Sequence, residues 1–264
     1  MSKKIMLSAV MLNFNCKYFP KMCVDAFRKG EMDFEYEMIA VDNASTDPIS
    51  LGYLEKAAEQ GLVEYVKSPT NLGFGGGNNL GAKQARGKYV LILNPDIFVE
   101  TDSIQKLVDY MEAHPDVGIM GPKLIYPDGK VQDSCRRNMS FWDLVIKRTF
   151  LKKIFKKRVD TYTMEDFDHE TTREVDLLVG ACFILPRELY EEIGGFDERY
   201  FLFMEDFDLC KEVSKRGKKV IYYPEVGVTH NHKRLSGGSL WKLLRKRVFW
   251  IHISSAFKYF WKWR

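Results

Sequence analysis

No apolar run in this 264-residue chain reaches the about eighteen uninterrupted residues that a membrane-spanning helix needs. No Cys-x-x-Cys pair occurs. The five cysteines, Cys16, Cys23, Cys135, Cys182 and Cys210, are scattered and odd in number, so neither a zinc site nor a disulfide framework is indicated, and a reducing cytoplasm is expected. The glycine-rich stretch after residue 70 matches neither G-x-G-x-x-G nor G-x-x-x-x-G-K-[ST], which disfavours a dinucleotide-binding or P-loop site. Lys3 and Lys4 followed by Ile5 to Leu12 imitate a secretion signal. The apolar run is short, Asn13 and Asn15 interrupt it, and no small-x-small cleavage site follows, so a buried first strand is expected instead.

Acidic residues are missing in one place. None follows Glu225, whereas nine basic residues do, the last being Lys258, Lys262 and Arg264. The net charge of +4 hides this asymmetry, because without those nine the chain holds 31 basic against 36 acidic residues. A second basic group, Lys147, Arg148, Lys152, Lys153, Lys156, Lys157 and Arg158, is interleaved with Phe150, Leu151, Ile154 and Phe155. Such a segment is either a surface for an anionic ligand or membrane, or a solvated charged helix. With 45% hydrophobic and 29% charged residues, the chain is otherwise an ordinary globular one, long enough for a large domain with an appendage.

What is present is an alternation of strands and helices. Strands are expected at Ile5 to Leu12, at 36–41, 62–66 and 89–93, and at Val117 to Tyr126, with helices near 21–29, 51–60 and 103–113. This order predicts βαβ units and a mostly parallel sheet flanked by helices. Residues 127–175 carry few regular signals. Asp176 to Leu185 reads as a strand whose Gly180 marks a close approach, Pro186 opens a short helix, and Val220 to Tyr223 and Val226 to Thr229 are further strands.

Carboxylates recur where strands end. Tyr89 to Leu93 has no polar face, as expected of a strand covered on both sides, and Pro95 stops it just before Asp96. The second strand ends at Asp42-Asn43, with Asp47 following. At the carboxyl edge of an open α/β sheet such residues meet ligands, although Asn94-Pro95-Asp96 alone is equally a turn. Residues 71–79, which include Gly73 and Asn78, read as a glycine-rich turn opening a helix. It either offers backbone N–H groups to a phosphate or simply caps that helix. Glu205, Asp206 and Asp208 lie among aromatics from Tyr200 to Phe207, where burial would raise a carboxyl pKa and make a usable base, or where they favour a helix dipole. His230 ends the last strand.

In that order, the phrases VDNASTD, NLGFGGGNN, GKYVLILNPD, GACFILPRELYEEIGGFDERYFLFMEDFDLC and VTHNH resemble the inverting family 2 glycosyltransferases of the GT-A fold, and among them the bacterial rhamnosyltransferase-like members. The resemblance runs from residue 5 to about 232. It implies a GT-A catalytic domain over 1–232, with 127–175 a variable, partly basic insertion, and a basic aromatic helical tail over 233–264. It implies that Asp206 is the catalytic base with Glu205 beside it. Asp42 would accept a hydrogen bond from the nucleotide base, with Asn43, Asp47, Gly73, Asn78 and Asn94 around the nucleotide sugar. Asp96, the metal-facing acid of the D-x-D motif, and His230 would hold a divalent metal, Mg²⁺ or Mn²⁺. The chain departs from that motif at Asn94, where many relatives carry an acid, so metal binding would lean on the diphosphate.

The implied reaction moves L-rhamnose from dTDP-L-rhamnose, with inversion, to a saccharide linked to polyprenyl diphosphate, in surface-polysaccharide or O-antigen assembly. The alternatives are another nucleotide-sugar donor, such as UDP-galactofuranose or a UDP-hexose, or a non-catalytic protein that binds membrane or nucleic acid. For the enzyme no nucleic acid is expected. On a helical wheel the tail places Phe249, Ile253, Phe257 and Phe260 with Trp250 and Trp261, opposite His252, Ser255, Lys258 and Lys262. This describes either an interfacial helix on the anionic inner face of the cell membrane or a helix packed on the catalytic domain or in a dimer interface.

Overall fold

The computed structural model describes residues 4–30, 32–99, 102–149, 151–231 and 246–264. His232 and the basic residues between it and Lys246 lie outside these, as do Lys3 and Phe150.

The frame is a mixed sheet. Strands β1 (Leu7–Asn13), β2 (Tyr36–Asp42), β3 (Glu64–Lys67) and β4 (Tyr89–Leu93) are mutually parallel, in the order β3-β2-β1-β4. The sheet continues through β10 (Cys182–Pro186), β6 (Val117–Ile125), β11 (Lys219–His230) and β5 (Ile97–Val99). β10 runs antiparallel to both β4 and β6, and β5 antiparallel to β11, while β6 and β11 pair in parallel, so the sheet is mixed but mostly parallel, as expected. Tyr89, Leu91 and Leu93 enter one apolar core while Val90 and Ile92 enter the other, which is why β4 shows no polar face. The helices α1 (Phe19–Arg28), α2 (Pro48–Glu59) and α4 (Ser103–Ala113) follow the expected alternation.

Three expectations change. The glycine-rich stretch is not a turn before a helix but the helix itself, α3 (Gly73–Ala82). A Cβ on Gly77 would lie 2.4 Å from Leu12 Cδ1, and one on Gly81 2.5 Å from Val10 Cγ1, so the glycines let α3 lie directly against β1 and β2. The strand at 176–185 is broken: β9 (Leu177–Leu178) pairs with β7 (Cys135–Arg136) outside the main sheet, and Gly180 lies in the gap before β10. Residues 219–230 form one continuous strand, its register on β6 shifting between Tyr223 and Gly227, where two strands were expected.

The segment with few regular signals contains the short helices α5 (Phe141–Arg148), α6 (Leu151–Ile154) and α7 (Lys156–Thr163), and β8 (Arg173–Glu174) on the edge of β11. After α8 (Arg187–Ile193) comes α9 (Glu205–Lys215), and the chain ends in α10 (Arg247–Lys262). α10 packs on the domain through its polar side: His252, Ser255, Ala256 and Tyr259 are buried, while Trp250, Ile253, Phe257 and Trp261 are exposed. Among the described residues no helix is long and apolar enough to cross a membrane.

Candidate active site

The first part of the site lies where β1 and β2 end side by side. Asn13 pairs with Asp42 in register, and its Nδ2 donates to Asp42 Oδ1 at 3.1 Å, while the Ser45 amide donates to Oδ2 at 3.2 Å. Both side chains are buried. A carboxylate has about four acceptor positions, so Asp42 can still receive a donor from a ligand. Asn43 is a scaffold residue: its Oδ1 accepts the Leu72 amide at 2.8 Å and its Nδ2 donates to Gly73 O at 2.9 Å, tying β2 to the start of α3. Asp47 caps α2, accepting the Ser50 amide at 2.9 Å, and that bond holds its carboxyl below the usual value.

The N-terminus of α3 is not an open anion cradle. The Leu72 amide goes to Asn43, that of Gly73 to Asn71 Oδ1 at 2.8 Å, and that of Phe74 to Phe201 O at 2.9 Å. Gly73 has φ +77°, and a Cβ there would lie 2.1 Å from Phe201 O, so its glycine is required by backbone packing. The Nδ2 of Asn78 donates to Phe74 O at 2.9 Å, and its buried Oδ1 has no hydrogen-bond partner among the described residues.

The second part is the edge of β4. Asn94 donates its amide to Ala181 O at 2.9 Å, and Asp96 follows Pro95 with its carboxylate partly exposed. His230, at the end of β11, brings Nε2 to 3.6 Å from Asp96 Oδ1. Gln132 sets the tautomer. Its Nε2 donates to His230 O at 2.8 Å, which turns its Oε1 toward His230 Nδ1, also at 2.8 Å. Nδ1 therefore carries a proton and Nε2 faces Asp96, the orientation in which a metal-ligating histidine is held by its second hydrogen bond. One carboxylate and one imidazole fit a divalent cation as a partial set. Among the described residues no group of three His, Cys, Asp or Glu could hold a metal, so the remaining donors would be diphosphate oxygens and water.

The third part is the start of α9. Glu205 is buried, and burial followed by the charge of Asp206 pushes its carboxyl well above the usual range. Asp206 is half-buried. Its Oδ2 accepts the Gly180 amide at 2.9 Å and its Oδ1 the Phe207 amide at 2.8 Å. Burial raises it to about 6 against the pull of these amides and of Arg136. Gly180 adjoins Ala181, the residue that receives the Asn94 amide, so the β4 edge and Asp206 are anchored one residue apart. The glycine expected to mark a close approach does so: a Cβ there would be 2.9 Å from Asp206 Cβ. Asp208 has a different function, binding Lys262 Nζ at 2.8 Å and Trp263 Nε1 at 2.7 Å.

Asp42, Asp96, His230, Glu205 and Asp206 thus all stand at element ends, as expected. Asn13, Gln132 and Arg136 were not foreseen. A polar residue closing the apolar β1 was a usable signal for Asn13, whereas Gln132 and Arg136 lie in the segment without periodicity.

Residues 8–194 match the profile described as Glycosyl transferase family 2. The N-acetylglucosaminyl-diphospho-decaprenol L-rhamnosyltransferase of Mycobacterium tuberculosis is 30% identical over 217 residues, spanning 76% of this chain and 68% of that protein. The rhamnosyltransferase WbbL of Escherichia coli is 26% identical over 238 residues, spanning 86% and 83%. A crystal structure of GalNAc-T7 with UDP, GalNAc and Mn²⁺ superposes with a TM-score of 0.65 at 15% identity, covering 87% of this chain but only 44% of that one. At that identity the likeness shows the fold alone, which is the mostly parallel GT-A sheet with flanking helices. The profile spans well over half of the sequence, and with the mycobacterial relative it establishes that this chain belongs to glycosyl transferase family 2.

Proposed function

We propose that this glycosyltransferase moves L-rhamnose from dTDP-L-rhamnose, with inversion, onto a saccharide carried by a polyprenyl diphosphate, and that it works on the inner face of the cell membrane in surface-polysaccharide assembly. The observation that carries the transferase chemistry is Asp206: partly exposed, fixed by two amides, raised to about 6 and set beside the buried Glu205. A base whose pKa lies near the working pH is ionised yet still basic enough to take a proton. Asp206 accepts the proton of the acceptor hydroxyl as that oxygen bonds to the anomeric carbon. The bond from that carbon to the diphosphate breaks in line, and the nucleoside diphosphate leaves. One base and one displacement give inversion.

Asp42 receives the nucleotide base, positioned by Asn13, while Asn94, Asp96 and His230 face the diphosphate. A divalent cation held by Asp96 and His230, when bound, would neutralise charge developing on the leaving group. The mycobacterial relative's named acceptor, a diphospho-decaprenol sugar, supports the lipid-linked acceptor, and both named rhamnosyltransferases support the donor. The exposed aromatic side of α10 supports the membrane location.

Nucleoside diphosphate release is to be measured with dTDP-L-rhamnose, UDP-galactofuranose and UDP-hexoses, Mg²⁺ or Mn²⁺, and a synthetic prenyl-diphosphate N-acetylglucosamine. Release is expected from the rhamnose donor and lowered about a hundredfold or more by Asp206→Asn. Turnover at the wild-type rate in Asp206→Asn would overturn the assignment of the base, and a preference for a UDP sugar would overturn the donor.

A further inference from the structure

Phe203 and Met204 precede α9 with φ of +70° and +74°, two successive residues with side chains in the left-handed region. Such backbone persists only where its surroundings hold it. On one side the holder is α3, whose Phe74 amide donates to Phe201 O at 2.9 Å. On the other it is α10. Ser255 Oγ donates to Leu202 O at 2.9 Å, and the His252 ring lies against that of Phe203 with centroids 4.5 Å apart. Farther along, Lys262 Nζ binds Asp208 Oδ2 at 2.8 Å and Glu212 Oε1 at 3.0 Å, and Trp263 Nε1 donates to Asp208 Oδ1 at 2.7 Å. These contacts lie on both sides of Glu205 and Asp206 along the chain, at Leu202–Phe203 before them and at Asp208 and Glu212 after them.

We infer that α10 is a positioning element for Asp206: Ser255, through Leu202, keeps Phe203 and Met204 in their left-handed form and so aims the first turn of α9 at the acceptor. The inference rests on the reading of Asp206 as the base. Ser255 is a positioning residue, and its loss should slow the chemical step while leaving the nucleotide end of the site, at Asn13 and Asp42, intact.

The test uses the full chain with Ser255→Ala, Ser255→Thr, which keeps the hydroxyl, and Ser254→Ala, which alters the exposed neighbouring serine. The readouts are dTDP release from dTDP-L-rhamnose with prenyl-diphosphate N-acetylglucosamine, and amide hydrogen exchange over residues 202–207 and 73–82. Ser255→Ala is expected to lower kcat about tenfold, with the donor KM within about twofold, and to speed exchange over 202–207 but not over 73–82. Ser255→Thr should restore kcat, and Ser254→Ala should match the wild type. Wild-type kcat in Ser255→Ala would overturn the proposal, whether or not exchange changes. So would a joint loss of kcat, donor KM and thermal midpoint, which would make α10 a stabilising appendage. Wild-type turnover in Asp206→Asn would instead remove the base reading, while the exchange data still report on the turn.

Discussion

Asp206 ionises near pH 6 in the folded chain and near its ordinary value of 3.8 when unfolded. Between those values the folded chain holds a proton that the unfolded chain has released, so stability falls as pH rises through that window. Above about pH 6 the deficit is complete and amounts to about 2–3 kcal/mol. In its proposed role as the base Asp206 must be ionised, the opposite state, so kcat should fall as pH drops below about 6. The two effects separate in Asp206→Asn. Because asparagine does not titrate, the thermal midpoint of the wild type relative to this variant should rise as pH is lowered from 8 to 5, and a difference independent of pH would show that Asp206 titrates normally. Burial, followed by the charge of Asp206, pushes the adjacent Glu205 carboxyl well above its usual range, so the two neighbouring acids differ in their tendency to ionise.

At the scale of elements, α3 is the clearest case of packing overriding propensity. Glycine is a poor helix former, disfavoured by about 1 kcal/mol per residue relative to alanine. Yet Gly73, Gly75, Gly76, Gly77 and Gly81 all lie in one ten-residue helix. Their lack of side chains lets the backbone approach Leu12, Val10 and Val41 and brings the helix start within reach of Phe201. Gly81→Ala should therefore destabilise the protein by about 1–3 kcal/mol despite the gain in helix propensity, because its Cβ would meet Val10 Cγ1 and Val41 Cγ2 inside packed strands. Denaturant unfolding measures this directly, and an unchanged or higher midpoint would show that α3 can lift off the sheet at no cost.

For the whole molecule, the informative feature is the orientation of α10. Its polar side, with Ser255 and Lys262, faces the catalytic domain, and Trp250, Phe257 and Trp261 are 58%, 65% and 61% exposed. The stripe continues onto α5, where Phe260 meets Phe141 edge to face at 5.7 Å and Trp142 stands exposed beside it. Lys152, Lys153, Lys156 and Lys157 follow α5 in the sequence, so aromatic and basic residues occur together, as at an interface with anionic lipid. Partitioning onto phosphatidylglycerol vesicles should weaken about tenfold or more in Trp250→Ser/Trp261→Ser and decline with added salt, whereas neutral phosphatidylcholine vesicles should bind less. Equal binding by the double variant would leave this side of the helix without a lipid function.

Strands ending at or just before Asp42, Asp96 and His230 were legible in the residues because strand burial and chain termination are local properties: the all-apolar Tyr89 to Leu93 is closed by Asn94-Pro95. The acids among aromatics at 205–206 were legible for the same reason. How strongly each of the two holds its proton was not, since that depends on the Gly180 amide, on Arg136 and on burial, all supplied by segments distant in sequence. Nor could periodicity show that Gln132 sets the tautomer of His230, that the glycine run is a helix pressed on β1, or that the tail docks by its polar side. A helical wheel separates two faces, but only the partners Leu202, Asp208 and Glu212, brought together by the fold, determine which face turns inward.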